Sequence, residues 1–236
     1  ALVDQARIEM RGQELVVAVD NKRGGFGFNL SNLFGASGIS CRIRCAEGST
    51  LRVRTKSADV VAALDLAGAD IATASGDARL ENITGDLSFK GASGDVLARN
   101  IEGRASVNTA SGDISLGHVG GDVNANSASG DISVQSGNAD VRANTASGDV
   151  SIELVTVGEV AVNSASGDVS IGVRRGSQVF LDCSTVSGDA HSELGPTGDQ
   201  PNGEGPLVHL KARTVSGDIH ISRAGTPAGN TQEVQA

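Results

Sequence analysis

The chain carries 236 residues with a net charge of -9, from 19 basic and 28 acidic side chains, and has 32 glycines against four prolines. Its 39% hydrophobic content is enough for a sizeable core, but aromatic residues make up only 2%, with no Trp or Tyr. Base-stacking platforms and aromatic cages are thereby excluded, and the acidic balance argues against nucleic acid as a partner.

Along the chain, Leu15-Val16-Val17-Ala18-Val19 and Ile39-Ser40-Cys41-Arg42-Ile43 read as strands of an irregular first section spanning residues 1–50. Between them, Gly24 to Gly38 holds three of the five phenylalanines, Phe26, Phe28 and Phe34, alongside Leu30 and Leu33. A cap plugging the open end of a repeat array is the expected role, with a partner- or membrane-touching loop as the alternative. Cys41 and Cys45 on one strand would share a face about 13 Å apart, too far for a disulfide. The start at Ala1-Leu2-Val3-Asp4 has no signal-peptide pattern, which suggests a fragment or a processed product and leaves cytoplasm and cell envelope or surface both open. The longest apolar stretch, Val60 to Ala74, is interrupted by Asp65 and Asp70, so no membrane span is expected.

From residue 51 a repeat takes over. Ser-Gly-Asp ends at Asp77, Asp95, Asp113, Asp131, Asp149, Asp168, Asp189 and Asp218, and the variant Ser57-Ala58-Asp59 stands one period earlier. Successive spacings are 18, 18, 18, 18, 18, 19, 21 and 29. A weaker copy lies inside each period, as in Thr84-Gly85-Asp86 and Gly120-Gly121-Asp122. After each Asp, apolar and polar residues alternate, which specifies a strand with one buried face. Glycine supplies the positive φ a tight corner requires, and Ser and Asp bond local backbone there. Equal repeats place equivalent residues about 4.8 Å apart in parallel ladders. The expected fold is therefore all-β, a parallel β-solenoid of about 18 residues and two short strands per turn, spanning residues 51–224. Inward positions hold small aliphatics, with Phe89 and Phe180 as the large exceptions. All four prolines avoid the repeat, three in an insertion at 195–206 and one in a tail, 225–236, that reads as disordered.

The recurring S-G-D-[VI]-x-[VIL] with interleaved G-D, together with Asn32-Leu33-Phe34-Gly35-Ala36-Ser37-Gly38 leading into an extended strand, resembles the bacterial β-strand-repeat family labelled adhesins, whose domains are also called toastrack domains. The resemblance covers about residues 30 to 223. It implies a solenoidal, non-enzymatic bacterial domain, in some cases linked to envelope stress or the cell surface. It transfers no catalytic residue.

Among the columns, the nine aspartates are the sharpest. Stacked carboxylates repel by roughly 1 kcal/mol per neighbouring pair even in a water-like dielectric, so something must offset them. Backbone N–H groups at each corner are the expected partners, at about 1.5–3 kcal/mol per charged acceptor. Calcium is the alternative, disfavoured because the opposite corner reads Asp86, Arg104, Asp122, Asp140, Glu159. His191 and His220 share a repeat position and should stack, with Glu193 two residues along, as a weak metal candidate. The Thr/Ser and Asn columns read as hydrogen-bonded ladders; an ice-binding array is broken by Gly91. No nucleophile elbow, phosphate loop, H-E-x-x-H or C-x-x-C occurs, and minimal turns leave no deep cleft.

No enzyme activity and no cofactor are expected. The sequence points to an interaction module, adhesin-like, for an unknown protein or envelope partner. A self-assembling scaffold of the bactofilin kind, joined through the solenoid ends, is the alternative. A carbohydrate-active β-helix is the third reading.

Overall fold

The computed structural model of the protein describes residues 6–11, 14–19, 40–194 and 205–224. It is all-β, with no helix among those residues, and falls into two compact units, Ala1–Cys45 and Ala46–Ala236. In the first unit β1 (Ala6–Arg11) pairs antiparallel with β2 (Glu14–Val19), Ile8 opposite Val17 and Met10 opposite Leu15. The strand expected over Ile39–Ile43 does not form: Ser40 to Ala46 is irregular and exposed. That segment alternates correctly but has no Gly-Asp corner ahead of it to bring it into register with a neighbour.

The second unit is the solenoid. One face stacks β3 (Ser49–Arg54), the second half of β4 (Val60–Ala72), β6 (Leu87–Lys90), β8 (Ala105–Ser111), β10 (Val123–Ser129), β12 (Val141–Ser147) and β14 (Gly158–Ser166). The other stacks the first half of β4, β5 (Ala78–Ile83), β7 (Val96–Ile101), β9 (Ile114–Val119), β11 (Ile132–Gly137), β13 (Val150–Val155) and β15 (Val169–Arg174). Each of these pairings is parallel and joins residues one repeat apart, as Val96↔Ile114 and Val123↔Val141 illustrate. Alternation does the rest. In β10 the pattern runs Val123 buried, Asn124 exposed, Ala125 buried, and the same columns continue through the stack. At roughly 1.5–3 kcal/mol per buried large aliphatic, each coil gains enough to offset part of its ordering entropy, but only with neighbours on either side.

Phe89 is fully buried, and Gly91 makes room for it: a Cβ there would stand 2.8 Å from the Phe89 ring. Phe180 is not an inward residue. It is 62% exposed and lies against His209, ring centroids 5.2 Å apart and 8° from parallel. It sits one position off the inward column occupied by Val179 and Leu181, so the alternation turns it outward.

Stacking order and chain order part company at the C-terminal end. Strands β16 (Gln178–Ser187) and β17 (Ala190–Ser192) come earlier in the chain than β18 (Leu207–Ser216) and β19 (Ile219–Ala224). Yet β18 pairs with β14 on one side and β16 on the other, and β19 lies likewise between β15 and β17. The last coil of the chain is thus inserted beneath the one before it. Its Val208, Leu210, Ala212, Ile219 and Ile221 are buried, whereas Leu181 in the outer coil is 42% exposed.

Candidate functional site

The most regular chemistry on the molecule is the aspartate corner. Asp59, Asp77, Asp95, Asp113, Asp131, Asp149, Asp168, Asp218 and Asp189 follow one another in space in that order. The Oδ1 of each aspartate but the last, Asp189, accepts the backbone N–H of the next aspartate in the stack, at 2.8 to 3.1 Å. The N–H groups therefore come from the adjacent coil rather than from the carboxylate's own corner. A charge-assisted bond of about 1.5–3 kcal/mol exceeds the roughly 1 kcal/mol of repulsion between neighbours, so the ladder is net favourable. The opposite corner repeats the device where its residues allow, Asp86 accepting from Arg104 N–H at 2.8 Å and Asp140 from Glu159 N–H at 2.9 Å.

The glycine before each aspartate answers to contact more than to φ. At all eight Ser-Gly-Asp glycines a Cβ would collide with the carbonyl oxygen of the equivalent residue in the adjoining coil on the β3 side. Only five of them have positive φ, 141° to 157°, close to extended backbone. The buried hydroxyl column uses the same carbonyls. Ser127, Thr145, Ser164, Thr214 and Thr185 donate to glycine oxygens at 3.1 to 3.5 Å. Thr109 is the exception, its Oγ1 buried with no partner.

Two amide ladders run along the outside. Asn126, Asn144 and Asn163 each donate to the asparagine one coil back, beginning at Asn108, at 2.8 to 2.9 Å. The second ladder was missed from the sequence: Asn100 donates to Asn82, and Asn82 to Asp65, each at 2.8 Å. Its signal was present, since Asn82 and Asn100 stand one period apart. Its continuation through His118 and Ser136 hides it, because neither is an amide.

Where that second ladder stops, the surface is concave. A hollow of about 420 Å³ is lined by Leu97, Arg99, Asn100, Gly117, His118 and Gln135, among others. A neighbour of about 430 Å³ includes Asp65, Asn82, Asn100, Glu102, His118 and Asn138. Asn100 and His118 border both. Gly117 stands between Arg99 and Gln135 in an outward row and contributes no side chain, which opens the first hollow. Arg99 is held by Glu81 at 3.0 Å, two-thirds exposed.

The structure brings His191 and His220 together on adjacent coils, rings stacked at 5.6 Å and 9°. Glu193 Oε1 lies 3.7 Å from His220 Nε2. Among the described residues no group of three or more His, Cys, Asp or Glu is arranged to hold a metal ion. Cys41, Cys45 and Cys183 are free thiols, the first two exposed. Burial pushes the Cys183 thiol above its ordinary value; a backbone hydrogen bond at Ala212 opposes this and the Asp182 charge adds to it. Phe26, Phe28, Leu33 and Phe34 of the expected cap lie outside the described residues, as do the insertion from 195 to 204 and the tail. No helix among the described residues is long and apolar enough to cross a membrane.

A family model described as Toastrack DUF4097 matches residues 3–222, nearly the whole chain. No curated protein and no solved structure matches it.

Proposed function

The chain belongs to the Toastrack DUF4097 family, and from that premise we propose that this β-solenoid is a non-catalytic, adhesin-like interaction module acting at the bacterial cell envelope or surface. The observation that carries this reading is how the polar columns are used. The regular carboxylates and hydroxyls, the groups most suited to chemistry, are engaged with backbone of the adjacent coil. What faces outward is a broad surface of amides, hydroxyls and paired charges, with shallow hollows around Asn100 and His118. Such a surface suits a flat or extended partner rather than an enclosed small substrate. The reading involves no cofactor.

Isolated bacterial envelopes provide the test. Purified chain should bind them saturably, and Arg99→Gln combined with His118→Gln should weaken binding at least tenfold with little change in melting temperature, since both side chains are exposed and an exposed ion pair contributes about 1 kcal/mol or less. Release of reducing ends from a polysaccharide panel, abolished by a single substitution on this face, would replace the module with an enzyme.

A further inference from the structure

We propose that two copies of the chain join tail to tail through the outer coil, β16–β17, and that Ala58 stops the same kind of contact from growing into a filament. The first half of the inference starts from the outer coil. Val179, Leu181 and Cys183 occupy inward columns, in register with Val208, Leu210 and Ala212. Leu210 is 1% exposed while Leu181 is 42% exposed, because among the described residues no coil lies beyond β16. The backbone is unfinished in the same place. In the coils beneath, the corner glycine N–H donates to the outer coil's serine carbonyl, as Gly167 does to Ser216 and Gly217 to Ser187, at 3.0 Å. The residue after each aspartate does likewise, Val169 to the Asp218 carbonyl and Ile219 to the Asp189 carbonyl. Among the described residues no coil lies beyond Gly188 and Ala190 to receive the equivalent N–H groups. An apolar core end with unpaired strand donors is a surface that another strand stabilises.

The chain segments attached to this end are poor covers. Residues 195–204 read Gly-Pro-Thr-Gly-Asp-Gln-Pro-Asn-Gly-Glu, without one large apolar side chain, and residues 225–236 offer only Val234. Covering Leu181 and Cys183 needs apolar surface of the same shape, which a second copy of the outer coil supplies.

The opposite end decides the geometry. Each corner glycine lacks room for a Cβ because the adjoining coil on the β3 side places a carbonyl oxygen there. In the first coil that position is Ala58, whose own carbonyl lies against Gly76. Its methyl group stands where the carbonyl of a preceding coil would have to go. Gly188 of another copy, the residue a head-to-tail contact would present, therefore cannot stack on it. Head-to-tail addition is closed, and the two-fold tail-to-tail contact, which ends after one partner, remains.

The experiment uses the full chain with Cys41→Ser and Cys45→Ser, leaving Cys183 as the reporter. Sedimentation velocity over a concentration series should show monomer and dimer in equilibrium, and alkylation of Cys183 should slow several-fold as dimer fills. Leu181→Glu should give monomer whose Cys183 reacts at the fast rate throughout. Ala190→Lys, at an already exposed position, should do the same should Leu181→Glu disturb folding. Monomer at every concentration overturns the proposal. So do species growing beyond dimer, which would show that Ala58 does not terminate stacking. Slow alkylation in the monomer would also overturn it, because the end would then already be covered within a single copy.

Discussion

The carboxylate repeated along the Ser-Gly-Asp corner is used as a backbone acceptor, and its worth can be measured one residue at a time. Asp131 Oδ1 accepts the Asp149 N–H at 2.8 Å, with neighbouring aspartates on both sides. Asp131→Ala should destabilise the chain by about 1.5–3 kcal/mol, and Asp131→Asn, which keeps an acceptor and removes a charge, by about 1 kcal/mol or less. Urea denaturation of the pair checks the order. If repulsion outweighed the bonds, both variants would be more stable than the parent. Thr109 offers the converse case. Its hydroxyl is buried without a partner, while Thr145 and Ser164 in the same column donate to glycine carbonyls. Thr109→Val keeps the shape and removes an unsatisfied group, so stability should rise by about 1 kcal/mol, read from the same denaturation curves. The same substitution at Thr145 should lower it.

At the level of elements, the inserted coil reverses an ordinary expectation about termini. Leu210 lies closer to the chain's end than Leu181, yet among the described residues Leu210 is enclosed between two coils and Leu181 has a coil on one side only. Leu210→Ala should therefore cost about 2–5 kcal/mol and Leu181→Ala about 1 kcal/mol, compared by equilibrium unfolding. Stacking in chain order would give the opposite ranking. Within the solenoid the strands, the period, most inward columns and the corner residues are legible in the sequence, because a period of 18 with two-residue alternation admits one parallel register. The insertion is not legible. Thr185-Val186-Ser187-Gly188-Asp189 and Thr214-Val215-Ser216-Gly217-Asp218 carry the same motif, so either coil satisfies the ladder below it and pattern alone cannot rank them. The outward hollows at Asn100 and His118 are likewise hidden, since they arise from what Gly117 leaves out rather than from a motif. Phe180 misleads for a simpler reason. A bulky apolar residue suggests the core, but its position in the alternation faces it toward His209 and solvent.

For the whole molecule, near-identical coils held by nearest-neighbour contacts imply that length is adjustable in steps of one coil, whereas a smaller change made at a corner shifts the alternation of the strand after it. Removing Ile114–Asp131 joins Asp113 to Ile132. Ile132 then pairs with Val96 as Ile114 did, and Val141 replaces Val123 beside Ala105. The aspartate and glycine columns close up in register, since Asp131 and Gly130 leave together with the coil they cap. This deletion should give a folded, cooperatively melting β-protein, less stable than the parent by the loss of five inward apolar side chains: Ile114, Leu116, Val119, Val123 and Ala125. Removing one residue more, Ile114–Ile132, brings Ser133 directly after Asp113. In the strand that follows, Ser133 then points inward and Val134 outward, which exposes the apolar set and buries the polar one. That chain should lose its cooperative transition by circular dichroism and aggregate. Equal melting behaviour of the two deletions would mean that a corner can absorb a one-residue slip, and that corner chemistry rather than parallel register is the weaker constraint on this fold.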